Sequence, residues 1–210
     1  MKKLAPGLAK AVEHWKIRDP VLARLAQKVP PFPDLSRRHS GFDSLVTSLT
    51  HQQVSIAAGR SILRKFRAAC GGRITPERVL RLADAEIRGA GISRQKMGYI
   101  RDLAQKTATR EVDFRSFAAM TDEAIIEELT KARGIGVWTA KMFLLFHLAR
   151  PDIVSPEDRG IRLAVSKAYK VPESRVVAFI GQQAPKWSPY GSLASLTLWA
   201  SKGAPTTSKS

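Results

Sequence analysis

The groups in this chain best placed to do chemistry are a glycine pair, Gly134-Ile135-Gly136, and a carboxylate about twenty residues further on, Asp158. Both sit in one stretch, LTKARGIGVWTAKMFLLFHLARPDIVSPED, between Leu129 and Asp158. The glycines allow a tight turn, and its backbone N–H groups, with the N-terminus of the helix that follows, can hold a phosphate. Asp158 can then act on the molecule to which that phosphate belongs. The expected phosphate-holding set is Gly134, Ile135, Gly136 and Thr139, with Arg133, Lys141 and Lys96 as cations that grip phosphates without reading bases. A polyanionic partner fits the charge: 35 Lys and Arg against 18 Asp and Glu give +17 on 210 residues, which favours nucleic acid. Each feature also has a plain structural reading. A Gly-x-Gly can simply connect two helices, and Asp158 can cap the helix GIRLAVSKAYK. Capping does not compete with chemistry, since a cap fixes the carboxylate in place.

Helices must position these groups, because helical periodicity dominates and no alternating strand pattern stands out. Residues 122–132 supply the first helix of the hairpin and 137–149 the second. The second is apolar nearly all round (Trp138, Met142, Phe143, Leu144, Leu145, Phe146, Leu148), so it is expected in the core with only its N-terminus at the surface. Thr75, Ser93 and Thr121 read as N-caps, with Pro76 at a first helical position and Asp122 and Glu123 at the positive end of the helix they open. Gly71-Gly72 and Gly89-Ala90-Gly91 stop the helices before them. Val54 to Cys70 is amphipathic, with Ile56, Gly59, Leu63, Phe66 and Cys70 on one face and Arg60, Arg64 and Arg67 in an adjoining stripe. Only residues 1–6 and 203–210 read as frayed ends. The expected fold is all-α.

Composition narrows the function. With 44% hydrophobic residues the chain can bury a proper core. Cys70 is the only cysteine, which rules out an intramolecular disulfide and any cysteine cage for zinc or iron–sulfur. No signal peptide is legible, and no apolar run approaches a membrane span. The sequence therefore predicts a protein that is not secreted and has no membrane partner. It would work in the cytoplasm or nucleoid of a bacterium or the nucleus of a eukaryote.

LTKARGIGVWTAKM resembles the helix–hairpin–helix of the DNA glycosylase superfamily named for that hairpin and for a Gly/Pro-rich loop ending in aspartate. ARPDIVSPEDRGIR resembles that loop, with Asp158 at the family's catalytic position and Glu157 as the weaker neighbour. SLTHQQVSIAAGRSI resembles the segment that enters the minor groove. WSPYGSLASLTLW resembles the closing helix of the 3-methyladenine DNA glycosylase II (AlkA-like) branch. The similarity spans roughly residues 10–200 in four ordered motifs.

The resemblance implies two helical subdomains with an active cleft between them. One would be a central lobe over approximately 36–148, and the other approximately 7–35 with 149–203. It implies a monomer, without cofactor or metal, that excises alkylated purines such as 3-methyladenine and 7-methylguanine from double-stranded DNA by base flipping. Trp138 stands where bifunctional members carry a lysine, so no Schiff base forms and the product strand stays intact. Asp158 would stabilise an oxocarbenium-like sugar and orient water. Trp138, Met142 and Tyr190 would line the base pocket, where aromatic faces favour a cationic base. Trp187 and Trp199 would pack in the core. Gln53 would fill the gap left by the flipped base, flanked in the minor groove by Gln52 and His51. Three positions depart from the family pattern: Arg133 where the hairpin usually has proline, Arg159 after the aspartate, and Gly191 in place of an arginine in the closing helix. Arg159 and Gly191 keep open a lesion-sensing DNA-binding protein of this fold with little catalysis. A glycosylase for deaminated or oxidised bases is the enzymatic alternative.

Overall fold

The computed structural model describes residues 6–30, 32 and 40–202. The expected lobe boundary near residue 36, and the ends read as frayed apart from Pro6, lie outside the described residues. The described chain folds into α1 (Pro6–Arg18), α2 (Pro20–Ala26), α3 (Gly41–His51), α4 (Ile56–Ala69), α5 (Pro76–Arg81), α6 (Asp84–Gly89), α7 (Arg94–Ala108), α8 (Asp122–Thr130), α9 (Val137–Phe146), α10 (Arg159–Tyr169), α11 (Val176–Trp187) and α12 (Gly191–Ser201). No strand occurs among the described residues, so the fold is all-α.

Local chemistry sets most of these boundaries. The side chains of Thr75, Ser93 and Thr121 accept from the backbone N–H groups of Arg78, Lys96 and Ala124, capping α5, α7 and α8. Gly71, Gly72 and Gly91 end their helices in the left-handed region, at φ 65°, 90° and 93°. Two helices end earlier than periodicity suggests, α8 at Thr130 and α9 at Phe146. The chain leaves α9 through Ala149, itself left-handed at φ 53°. Nor is α9 buried all round: Val137, Trp138 and Phe146 are 49%, 43% and 39% exposed, while Met142, Phe143, Leu144 and Leu145 are buried. On α4, Gly59, Phe66 and Cys70 are buried as their face requires, but Ile56 is exposed and Leu63 half-buried.

The chain divides into two compact units, one comprising the described residues of 1–36 and 144–210, the other those of 37–143. In the first, Trp15, Leu22, Ile161, Val165, Val176, Ile180, Trp187 and Leu198 form the core. A buried carboxylate joins its two sequence segments. Asp19 Oδ1 accepts from Leu22 N–H at the start of α2, and Oδ2 accepts from Tyr169 Oη (2.6 Å) and Trp187 Nε1 (2.7 Å). Burial first, and the bond to Asp19 second, push the Tyr169 hydroxyl pKa far up, so this phenol stays a donor. In the second unit Phe42, Leu45, Leu49, Phe66, Ile100, Leu103, Phe117 and Leu129 are buried. Arg67 does not join the exposed stripe of Arg60 and Arg64: its guanidinium pairs with both oxygens of buried Asp43, at 2.8 and 2.9 Å. Cys70 is buried, and that burial pushes its thiol up to about 11, so it is an inert core residue.

Candidate active site and nucleic-acid interface

Asp158 caps α10, as a helix-cap reading of the sequence requires: its Oδ1 accepts from Ile161 N–H at 2.7 Å. The same oxygen accepts from Trp199 Nε1 at 2.8 Å. The sequence carries only an indirect sign of this second bond, and Trp199, half-buried, packs against the core of its unit as expected. Its ring stacks on Phe146, with centroids 5.8 Å apart and planes inclined by 15°. Gly160 makes room for the arrangement, since a Cβ there would press on Asp158 Oδ1 and the Trp199 ring. A glycine inside the first turn of a helix, a residue type of low helix propensity, was the available signal. Glu157 and Arg159 are exposed.

The loop carrying Asp158 is stitched to α12. Ser192 Oγ donates to Arg150 O and accepts from Ile153 N–H, and Ser195 Oγ donates to Ile153 O. Asp152 accepts from Gly191 N–H (2.8 Å) and Ser188 Oγ (2.6 Å), covering the positive end of α12 with a carboxylate. This explains the glycine at 191. A Cβ there would collide with Asp152 and Val154, so the close approach of the loop leaves no room for an arginine. Tyr190, just before α12, is half-buried and meets His14 and Trp15 edge-on, at 5.5 and 6.5 Å between centroids.

In the other unit, the hairpin runs from α8 through Ala132–Gly136 into α9. Gly134 is left-handed at φ 80°, and a Cβ on it would overlap the Tyr99 ring, so only glycine fits. Gly136 is different. Its φ is not left-handed, and a Cβ would meet nothing within 4 Å, which leaves the backbone open to an incoming group at the start of α9. There the first amides of the helix have no carbonyl of their own helix to bond. Ile135 and Thr139 are buried, so of these two the backbone rather than the side chain is available to a phosphate. Arg133 is the turn's exposed cation, its side chain 73% exposed. Its N–H and Nε both donate to Asp102, at 2.8 and 3.1 Å. Lys141 is half-buried along α9, and Met142 is buried one turn beyond Trp138.

The segment after α3 lies in the same unit. Gln53 is exposed at the turn between α3 and α4, with φ 55°. His51 is half-buried, its Nδ1 2.8 Å from Thr47 O and its ring against Gly59, where a Cβ would overlap it. Gln52 Nε2 donates to Gly134 O at 3.2 Å, so its amide is engaged with the hairpin. Lys96 Nζ donates to Thr50 O (2.9 Å) and Gln52 O (2.6 Å) rather than standing open to solvent. Burial lowers its pKa. No group of metal-ligating side chains occurs among the described residues, and no helix among them is long and apolar enough to cross a membrane.

The model of HhH-GPD superfamily base excision DNA repair proteins matches residues 46–180. The chain belongs to this superfamily. It is 25% identical over 203 residues to DNA-3-methyladenine glycosylase 1 of Schizosaccharomyces pombe, covering 94% of this chain and 89% of that protein. Identity is 27% over 170 residues to YfjP of Bacillus subtilis (strain 168), provisionally named a DNA-3-methyladenine glycosylase; the match takes in 78% of this chain and 59% of YfjP. The crystal structure of a DNA-3-methyladenine glycosidase from Bacillus halodurans superposes with a TM-score of 0.81 at 29% identity, over 96% of this chain and 90% of that one. In this HhH-GPD protein α8, the turn at Gly134 and α9 form a helical hairpin, and Asp158 caps α10.

Proposed function

We propose that this chain is a monofunctional DNA glycosylase that removes alkylated purines, 3-methyladenine and 7-methylguanine among them, from duplex DNA. The observation that carries the reading is the Asp158 carboxylate, held on one oxygen by the Ile161 amide and the Trp199 indole. Two fixed donors on a buried side chain give a negative charge a defined direction before substrate arrives. Breaking the C1′–N bond sends its electron pair to the base and leaves positive charge on the sugar. A base made cationic by alkylation departs neutral, so no separate acid is needed. Asp158 stabilises the sugar cation, and water adds at C1′ and gives up its proton to the Asp158 carboxylate, which passes it to solvent and leaves an abasic strand. A lyase step requires an amine that forms an imine, and Trp138 supplies none.

The base must leave the stack before C1′ and the glycosidic nitrogen can be reached. In this reading Gln53 takes its place in the duplex, with His51 beside it. The half-exposed Trp138 offers its face to the cationic base, with Met142 and Tyr190 as further lining residues. The amides at Gly136 and the first turn of α9, with Arg133 and Lys141, hold the backbone. In this reading Lys96 and the Gln52 side chain serve the protein rather than the DNA, since both donate to carbonyls inside it. The test is single-turnover excision from duplexes that each carry one 7-methylguanine, 3-methyladenine, hypoxanthine or 1,N6-ethenoadenine. Release of the alkylated purines, leaving an abasic site, is expected. Folded protein that binds these duplexes and releases no base would overturn the reading.

A further inference from the structure

One face of α7 serves two loops of its own unit. Lys96, Tyr99 and Asp102 are spaced three apart and so share a side of the helix. Lys96 holds the carbonyls of Thr50 and Gln52, at 2.9 and 2.6 Å. The Tyr99 ring lies where a Cβ on Gly134 would be. Asp102 accepts from both the backbone and the side chain of Arg133. The two loops are also tied directly, by Gln52 Nε2 on Gly134 O. Gln53 stands exposed at the tip of the first loop in a left-handed conformation, which a residue with a side chain keeps only where its neighbours impose it.

We propose that Lys96 and Gln52 are positioning residues that fix the register between Gln53 and the hairpin turn. Entry of Gln53 into the duplex and capture of the backbone by the turn then occur as one step. The proposal rests on the glycosylase reading above. Inserting a side chain into a base stack pushes back on the loop that carries it. Lys96 answers that push through two carbonyls at the C-terminal end of α3, and Gln52 passes it to Gly134. A lysine serving as a phosphate ligand would turn its ammonium to solvent, whereas this one spends two of its three donors on the protein.

The test compares the wild-type protein with Lys96→Met, Gln52→Ala and the double variant. Affinity is measured for undamaged duplex and for duplex with a tetrahydrofuran abasic analogue, over a range of salt. Each single variant should lower the preference for abasic over undamaged duplex about tenfold, with the salt slope on undamaged duplex unchanged. A 2-aminopurine beside the abasic position should lose its fluorescence increase to the same extent. The double variant should lose little more than either single one, because the two side chains act as one unit. If Lys96→Met instead weakens both duplexes equally and flattens the slope by about 0.9, Lys96 is a phosphate ligand and the proposal fails. It fails equally if the folded variants keep the wild-type preference, since Lys96 then only caps α3. Because Gln52→Ala removes a half-buried amide, it reports even if Lys96→Met does not fold. Absence of any abasic preference or base release in the wild-type protein would instead sink the glycosylase reading, which makes the two failures distinguishable.

Discussion

Replacing Asp158 with asparagine separates the charge of this side chain from its shape. The Ile161 amide at 2.7 Å and the Trp199 indole at 2.8 Å both bond the same oxygen, Oδ1. An asparagine carbonyl can occupy that position, and Asn caps helices about as well as Asp. The negative charge is lost while the acceptor for these two donors is kept. At the N-terminus of α10 that charge, on a buried side chain, is worth up to about 2 kcal/mol, so Tm should fall by no more than about 4–8 °C in a chain of this size. Beside a sugar cation the same charge is worth far more. At about 4 Å and an effective dielectric of 20 the attraction is roughly 4 kcal/mol, which corresponds to about a thousandfold in rate. Single-turnover release from a duplex with one 7-methylguanine, thermal unfolding and duplex binding, all on one preparation, give the comparison. Asp158→Asn should excise about a thousandfold more slowly while folding and binding almost as the parent does. Asp158→Ala removes the acceptor as well, so it should lose a further ~1 kcal/mol of stability with the cap. Asp158→Asn releasing base at the parental rate would refute the role given to the charge. A large fall in its Tm would refute the claim that the amide can stand in for the carboxylate oxygen.

The product of wild-type excision should be an intact abasic strand that breaks only in alkali or heat, because Trp138 offers no amine; a covalent adduct trapped by borohydride would contradict this. Duplex affinity should fall steeply with salt, by about 0.9 in log–log slope for each phosphate neutralised, and a flat dependence would remove the basic face, Arg133 and Lys141 included, from the DNA contact. Trp138→Ala should slow release of cationic 3-methyladenine and 7-methylguanine about thirtyfold, the worth of a desolvated cation–π contact of on the order of 2 kcal/mol, and should slow neutral hypoxanthine much less. Equal rates for cationic and neutral bases in the wild-type protein would end the aromatic account of selectivity.

What the sequence makes legible here is what lies within a few residues of itself. Thr75, Ser93, Thr121 and Asp158 each bond an amide three residues on, and Gly134 bends the chain where it stands, so caps, turn and hairpin can be read from spacing. The bonds that aim the site are not local. Trp199 reaches Asp158 across 41 residues, Lys96 reaches Gln52 across 44, and Gln52 reaches Gly134 across 82. Residue type says that an indole donates and an ammonium seeks oxygen; only the fold decides that carbonyls at the end of α3 win Lys96 over solvent. The same limit explains α9, whose apolar run reads as buried although Trp138 opens to one side. The departures from the family pattern become intelligible at this level. At position 133 a proline would fix φ but could not donate, whereas Arg133 gives both its N–H and its Nε to Asp102. Rigidity that a ring would supply inside the turn is supplied from α7 instead. At 191 a side chain is excluded because Asp152 caps α12 from across the loop. These two departures are each matched by a contact that holds the same backbone, and Asp102→Ala should loosen the hairpin, read as weaker duplex binding by a protein that still folds.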